Sequence, residues 1–410
     1  MSGPDPKIDY NPLSPQVLAD PFPTYAQMRA QCPVGYFDGL DVPYHVLFRY
    51  EDVREASTDT RYFSAKLGAS PTYRETATMT DDGPAHIAFR NTFQLRLMPR
   101  KLKTYEPHAE RFAEALVAAM QARGNSGELH DDFAEPFPVR VAAVIFGVDD
   151  ADPKVLSTHA DRLLNSAWMA DSPERHQEYV QAAHDFFTGY IEARFAMLER
   201  AGISDPRPEH VGGVLPDDII SDLVCAQVMG RPLSRQEMFL LLQVLLVGGY
   251  ETSTFMITNC LWRLLEDRSR WEAVKADPER LIPIAIEESL RFDPPGLGLW
   301  RTAACPVSRH GVDIPENGKV QMSYGSANRD PSVFEDGDAF RLDRPLTQAR
   351  KHMTFGAGPH VCVGQHLARM DMAVALRTLI RRMPDLRLNG PTERVANFGF
   401  WGRRKLPVAW

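Results

Sequence analysis

Phe355-Gly356-Ala357-Gly358-Pro359-His360-Val361-Cys362-Val363-Gly364, FGAGPHVCVG, sets one cysteine among glycines and a histidine near the end of a 410-residue chain. The next segment, VGQHLARMDMAVALRTLIRRM, spaces Leu367, Met370, Val374, Leu376, Leu379, Ile380 and Met383 as one face of a helix, so a helix is expected directly behind the cysteine. A cysteine ligates metal as the thiolate, whose free pKa is about 8.5. The amides and positive potential of a helix N-terminus stabilise such an anion. Gly356, Gly358 and Gly364 permit tight turns and the close approach of a flat body to the backbone.

Four readings compete. A buried core cysteine explains neither the glycines nor His360. A zinc site from His352, His360, Cys362 and His366 has suitable donors but lacks the paired short spacings of structural sites. A cysteine nucleophile needs a base, which His360 supplies. The fourth reading is a thiolate under a porphyrin, since Cys is a known axial ligand of haem iron. Phe-Gly-x-Gly-x-His-x-Cys-x-Gly matches at six positions, which chance gives in on the order of one chain in 10^5.

Composition sets the limits. At 44% hydrophobic and 24% charged the chain is globular, and no linker, repeat or low-complexity tract divides it, so residues 1–410 are expected to form one domain. The polar start MSGPDPKIDYNPLSPQ has no signal pattern, and the apolar run MFLLLQVLLV (238–247) is short of the roughly 20 residues of a membrane span. Five dispersed cysteines without a CxxC pair indicate reduced thiols, hence a cytoplasmic protein without a membrane anchor. A net charge of −8 gives no reason to expect nucleic acid as a partner.

A hairpin is expected over 34–50 and a helix over 107–122, with further strands around 305–324 and 396–409. Ser234-Arg235-Gln236-Glu237 is a capping box opening a helix that runs past Trp262 to Leu265, apolar on nearly every face between 238 and 247. The fold class is mainly α with small β-sheets.

At these residues the chain resembles the cytochrome P450 family of haem-thiolate monooxygenases. The resemblance implies a triangular helical prism with the haem between the long central helix and the Cys-loop helix. Further motifs support it. Glu288 and Arg291 form the family's Glu-x-x-Arg pair; because Ala339 stands before Phe340 where many relatives carry arginine, Arg341 and Arg344 are candidates for the third member. His86 and Arg90, one helical turn apart, match the propionate-binding pair, and Arg301 and His360 match two further propionate contacts. Phe355, Gly356, Cys362 and Gly364 belong to the haem loop, with Cys362 the iron ligand.

In the long helix, Gly248 and Gly249 each cost about 1 kcal/mol relative to alanine. Without side chains the helix can approach a porphyrin face and widen there for dioxygen. Glu251 and Thr252 then resemble the family's acid–alcohol pair that manages protons during oxygen activation. The resemblance implies haem b, O2 as co-substrate, and NAD(P)H-derived electrons through an iron–sulfur ferredoxin and its flavin reductase. A non-catalytic gas sensor would not need Glu251-Thr252, and peroxide-driven relatives commonly replace that pair.

The runs LLVGGYET, CVGQHLAR and FAEPFPVRV look like the bacterial camphor-hydroxylating branch. Carry-over places Val244, Val247, Gly248, Leu297, Leu299, Phe398 and Phe400 in the substrate pocket. Tyr73, beside Arg74 in the covering loop, is expected to donate one hydrogen bond. The implied substrate is a small hydrophobic molecule, such as a monoterpenoid or simple aromatic, that is hydroxylated or O-dealkylated. Residues 341–382 carry a local excess of six positive charges, with Arg96, Arg100, Lys101 and Lys103 adding more, a basic face suited to an acidic ferredoxin.

Overall fold

The computed structural model describes residues 10–73, 78–168 and 172–410. They divide into two compact units, one drawn from Met1–Glu75, Phe255–Cys362 and Pro384–Ala409, the other from Thr76–Thr254, Val363–Met383 and Trp410. One boundary, between residues 254 and 255, falls inside the helix Glu251–Leu265. The units interleave along the chain with no linker at that boundary, which is why composition carries no mark of them.

The first unit is built on a five-stranded sheet in the order Val34–Phe37, Tyr44–Leu47, Lys319–Ser323, Gly298–Ala303, Phe63–Ser64. The expected hairpin is there, with Val34 opposite Leu47 and Phe37 opposite Tyr44. Lys319–Ser323 runs parallel to Tyr44–Leu47 and antiparallel to Gly298–Ala303. Period-two alternation puts Leu299 and Arg301 on one face, opposite Met322 and Val320. That face closes over a core of Val34, Leu47, Val53, Phe63, Ala303 and Tyr324, against which Leu299 packs. The helix Pro278–Phe292 carries Glu288 and Arg291 into this unit, both fully buried. The strands around 305–324 form as expected; of 396–409, only Arg403–Lys405 and Pro407–Ala409 are extended.

The second unit is helical. Prolines open or immediately follow the start of Glu106–Ala122, Pro136–Phe146, Pro153–Trp168 and Pro173–Arg200, where a missing amide proton costs nothing. Gly147, in the left-handed region at φ 86°, ends the second of these. The helix behind the cysteine runs Gln365–Arg382 and packs along Glu106–Ala122. Arg377 pairs with Glu106, and Arg381 and Arg382 both reach Glu114.

The long helix departs from expectation. Its capping box forms, with Ser234 and Glu237 exchanging bonds, but the helix is two, Arg235–Gly249 and Glu251–Leu265, separated at Tyr250. Burial is also one-sided. Phe239, Leu242 and Leu246 are inside, whereas Val244 is 38% exposed. Together these helices span 31 residues and pass for a membrane span by composition alone. More than half of the most apolar stretch is packed inside the protein, as in a core helix.

Candidate functional site

The cysteine loop is shaped by its glycines. Gly356 and Gly358 take φ of 68° and 69°, the left-handed region that side chains disfavour. A Cβ on Gly358 would stand 2.9 Å from the Ser57 carbonyl oxygen and the Thr58 Cα, so the loop lies directly on that backbone. Gly356 N–H donates to the Met353 carbonyl at 2.8 Å and Cys362 N–H to the Phe355 carbonyl at 2.8 Å, closing the turn around Phe355. The Cys362 side chain is left exposed, while Phe355 is buried and His360 half-buried. Gly364 caps the helix Gln365–Arg382, as the spacing predicts.

Arg301 is 4% exposed and donates to the Trp300 carbonyl at 2.9 Å. Tyr324 stands between it and the loop. Burial raises the pKa of its phenol, the Arg301 guanidinium opposes that, and a negative Cys362 adds to it. Tyr324 escaped the sequence reading because it lies in no motif and far from the cysteine in the chain.

Behind this loop sits a buried ion network. Arg291 holds both carboxylate oxygens of Glu288, at 2.7 and 2.8 Å. The third member is Arg344, whose Nε donates to Glu288 at 2.9 Å while its head is 1% exposed. Arg341 contributes only its backbone N–H, at 2.9 Å; its side chain turns to Asp336 and Asp343. Arg291 also donates to the carbonyls of Asn328, Gly337 and Ala339, so its proton donors are used in place.

The second unit carries the other candidates. His86 and Arg90 lie four apart on the helix Gly83–Asn91; His86 is 1% exposed with Nδ1 3.1 Å from the Met79 carbonyl, and Arg90 bonds Gln94. At the interrupted helix, apart from adjacent residues and the helix's own backbone, no described atom comes within 4 Å of where a Cβ would stand on Gly248 or Gly249. Thr252 Oγ1 donates to the Gly248 carbonyl at 2.7 Å, bridging the interruption. Glu251 beside it is 5% exposed. Tyr250, at the break, donates its phenol to Glu135 Oε1 at 2.9 Å. Asp371, nine residues beyond the cysteine, is 2% exposed with Oδ1 lacking any hydrogen-bond partner, and burial holds its pKa well above the usual carboxylate range. Its place on the buried face of the helix was the available signal.

The pocket candidates fare unevenly. Leu297 and the 398–400 segment come together: Leu297 N–H donates to the Gly399 carbonyl at 2.9 Å, and Leu297 and Phe398 line one narrow cleft with Tyr25 and Trp401. Phe398 meets the edge of Trp300, and Phe400 lies against Phe255. Leu299 packs into the first unit's core. Val247 is half-buried on the helix Arg235–Gly249. Tyr73 corrects an expectation. Its hydroxyl already donates to the Asn317 carbonyl at 2.6 Å, with Lys319 over the ring, so it has no proton to offer a substrate in this arrangement. Arg74 lies outside the described residues.

The basic face is also corrected. Arg96 is buried between Asp217 and Asp222, and Lys101 pairs with Asp217. Arg344, Arg350, Arg377, Arg381 and Arg382 pair with Glu288, Glu287, Glu106 and Glu114, acids outside the 341–382 window. Counting charge along one stretch missed partners brought in by folding. Arg100, Lys103 and Lys351 remain exposed.

Among the described residues no three His, Cys, Asp or Glu side chains stand close enough to share an ion, so the zinc reading lapses and the candidate donor is the sulfur of Cys362. A metal whose other ligands come from a porphyrin suits that donor set. Within the first unit, left-handed glycines beside an exposed sulfur and the buried guanidinium of Arg301 suit a haem and an anionic propionate; within the second, His86 is a buried basic group and the interrupted helix presents two glycines.

The family model described as Cytochrome P450 matches residues 27–384. The β-dihydromenaquinone-9 omega-hydroxylase of Mycobacterium tuberculosis is 30% identical over 98% of this chain and 78% of its own length. The mycinamicin IV hydroxylase/epoxidase of Micromonospora griseorubida is 33% identical over 88% of each chain. The crystal structure of CYP109E1 from Bacillus megaterium with testosterone superposes with a TM-score of 0.80 at 27% identity, over 95% of this chain and 99% of that one. P450BioI, solved with an acyl-carrier-protein-linked hexadecenoic acid, gives 0.83 at 27%, over 96% and 100%. With its buried Glu-x-x-Arg network and this match across most of its length, the chain belongs to the cytochrome P450 family.

Proposed function

We propose that this monooxygenase oxidises a small hydrophobic molecule, a monoterpenoid or simple aromatic, by hydroxylation or O-dealkylation, with electrons delivered by a ferredoxin and its flavin reductase. When bound, the haem supplies activation of dioxygen, one atom going to substrate and the other to water. Cys362 would hold its iron, and His86, Arg90, Arg301 and His360 would neutralise its propionates, since buried carboxylates need charged partners.

One observation carries the reading: Thr252 donates its only hydroxyl proton to the Gly248 carbonyl at 2.7 Å, next to two glycines with open space above them. A threonine so committed presents its oxygen only as an acceptor, and can hold a protonated oxygen or water in place without quenching it. Glu251, buried beside it, is placed in sequence to relay protons, a role that requires hydrogen-bond reach. Keeping both residues favours dioxygen over peroxide as oxidant. The candidate wall residues Val244, Val247, Leu297, Leu299, Phe398 and Phe400 are all apolar, and Tyr73 is engaged elsewhere, so recognition rests on shape. Electron donors have Arg100, Lys103 and Lys351 as exposed cations to approach.

The test is a panel of monoterpenoids and simple aromatics read by the haem spin-state shift, followed by turnover with Thr252→Ala. The variant should keep the haem spectrum and lose product per reductant by about tenfold or more, the scale of a general acid–base contribution, with peroxide appearing instead. Full coupling in Thr252→Ala removes the residue from the mechanism, and a panel without a binder removes the substrate class.

A further inference from the structure

We infer that Tyr250 and Glu135 form an anchor that fixes the interruption between the helices Arg235–Gly249 and Glu251–Leu265, so that Tyr250 is a positioning residue for Glu251 and Thr252. The inference rests on reading those two as the acid and alcohol of oxygen activation.

Tyr250 is the single residue between the two helices, at φ −86° and ψ −79°. The preceding Gly248 and Gly249 have no side chains with which to hold their neighbours. The bonds crossing the break run along the helix: Thr252 Oγ1 to the Gly248 carbonyl at 2.7 Å, and Thr254 N–H and Oγ1 to the Tyr250 carbonyl at 3.2 Å each. Bonds of that direction set the rise of the chain and leave its lateral position open. The phenol of Tyr250, donating sideways to Glu135 Oε1 at 2.9 Å, supplies the lateral fix.

The other end of the anchor is rigid. Glu135 joins a single π-helical turn, His130–Ala134, to the helix Pro136–Phe146, and its N–H donates to the His130 carbonyl at 2.9 Å. Phe133 and Phe137 on either side are stacked at 5.5 Å and wholly buried. Turns of this kind recur at functional sites. Burial first, then Glu135, Asp161 and Glu251, push the phenol pKa well above its ordinary value, so Tyr250 remains the donor throughout the working range.

The experiment compares Tyr250→Phe, Glu135→Leu, Glu135→Gln and the double variant Tyr250→Phe/Glu135→Leu, each as holoenzyme with a surrogate ferredoxin and reductase. The readout is the fraction of NAD(P)H electrons recovered as peroxide, with the panel compound giving the largest spin-state shift, or without organic substrate if none binds. Tyr250→Phe and Glu135→Leu should each raise the peroxide-to-other-product ratio by about threefold, the scale of one lost hydrogen bond, with haem content and reduced-carbon-monoxide spectrum unchanged. Glu135→Gln keeps an acceptor oxygen and should recover most of the loss seen in Glu135→Leu. The double variant should be no worse than the worse single one, because both break the same bond. Unchanged partitioning in Tyr250→Phe, independent additive effects, or loss of haem in step with coupling would each overturn the anchor. Thr252→Ala in the same assay separates the two failures: if it stays coupled, the acid–alcohol reading falls; if it alone uncouples, only the anchor does.

Discussion

Gly358 in the cysteine loop and Gly248 in the interrupted helix are the same residue put to opposite uses. At Gly358 the backbone is left-handed and a Cβ would lie 2.9 Å from the backbone of Ser57 and Thr58, so glycine is required by the fold itself. At Gly248 a Cβ would meet no described atom within 4 Å beyond adjacent residues and the helix's own backbone. The fold has no need of glycine there, and the helix is weakened by having it. The cysteine loop is thus a region whose sequence serves its own geometry; the interrupted helix sacrifices local stability to leave room beside itself. The carboxyls divide in a parallel way. Glu288 is buried with both oxygens matched by arginines, whereas Asp371 is buried with Oδ1 unmatched.

The largest expected effect is on the matched carboxylate. Glu288→Ala leaves Arg291 and Arg344 as uncompensated buried charges and should destabilise the protein by about 3–5 kcal/mol, read as loss of haem-loaded protein and a lower unfolding midpoint. Retention of wild-type stability would mean that the network is ornamental. The glycine pair comes next. Gly358→Ala should cost about 1–3 kcal/mol through backbone strain and contact with residues 57–58. Gly248→Ala should stabilise the chain by up to about 1 kcal/mol while slowing carbon monoxide or dioxygen binding. Equal stability changes at the two positions would erase the contrast.

The smallest effect concerns Asp371. Its folded-state pKa is raised by burial, so the folded protein binds the extra proton more readily than the unfolded chain. Stability contributed by that protonated carboxyl is full below the unfolded value of about 3.9 and is lost as pH rises towards the folded value. Asp371→Asn removes that loss and should raise the unfolding free energy at pH 7, the difference from wild type closing as pH approaches 4. A variant less stable at neutral pH would show that Asp371 is charged and paired.

Much of this was legible in the sequence because local rules and long-range structure agree there. The helix behind FGAGPHVCVG, the hairpin at Val34–Leu47, the Ser234 capping box and the Glu288–Arg291 pair all depend on neighbours in sequence, and each forms as read. What stayed open or failed depended on partners distant in sequence. The choice of Arg344 over Arg341 turns on a segment folding back to Glu288, and the basic stretch is neutralised by Glu106 and Glu114. Tyr73 looked available only because Asn317 lies far along the chain. The bond that Tyr250 makes at the interruption is to an acid more than a hundred residues earlier, which helical periodicity cannot register.

Oxygen activation here requires Cys362 to be the thiolate ligand of a haem, and the absorption spectrum of the reduced, haem-loaded protein under carbon monoxide tests that role most directly. The wild-type protein should show the red-shifted Soret band of thiolate ligation, and Cys362→His should replace it with the shorter-wavelength band of a nitrogen ligand. A wild-type spectrum of the nitrogen-ligated kind, or one indifferent to the substitution, would contradict it.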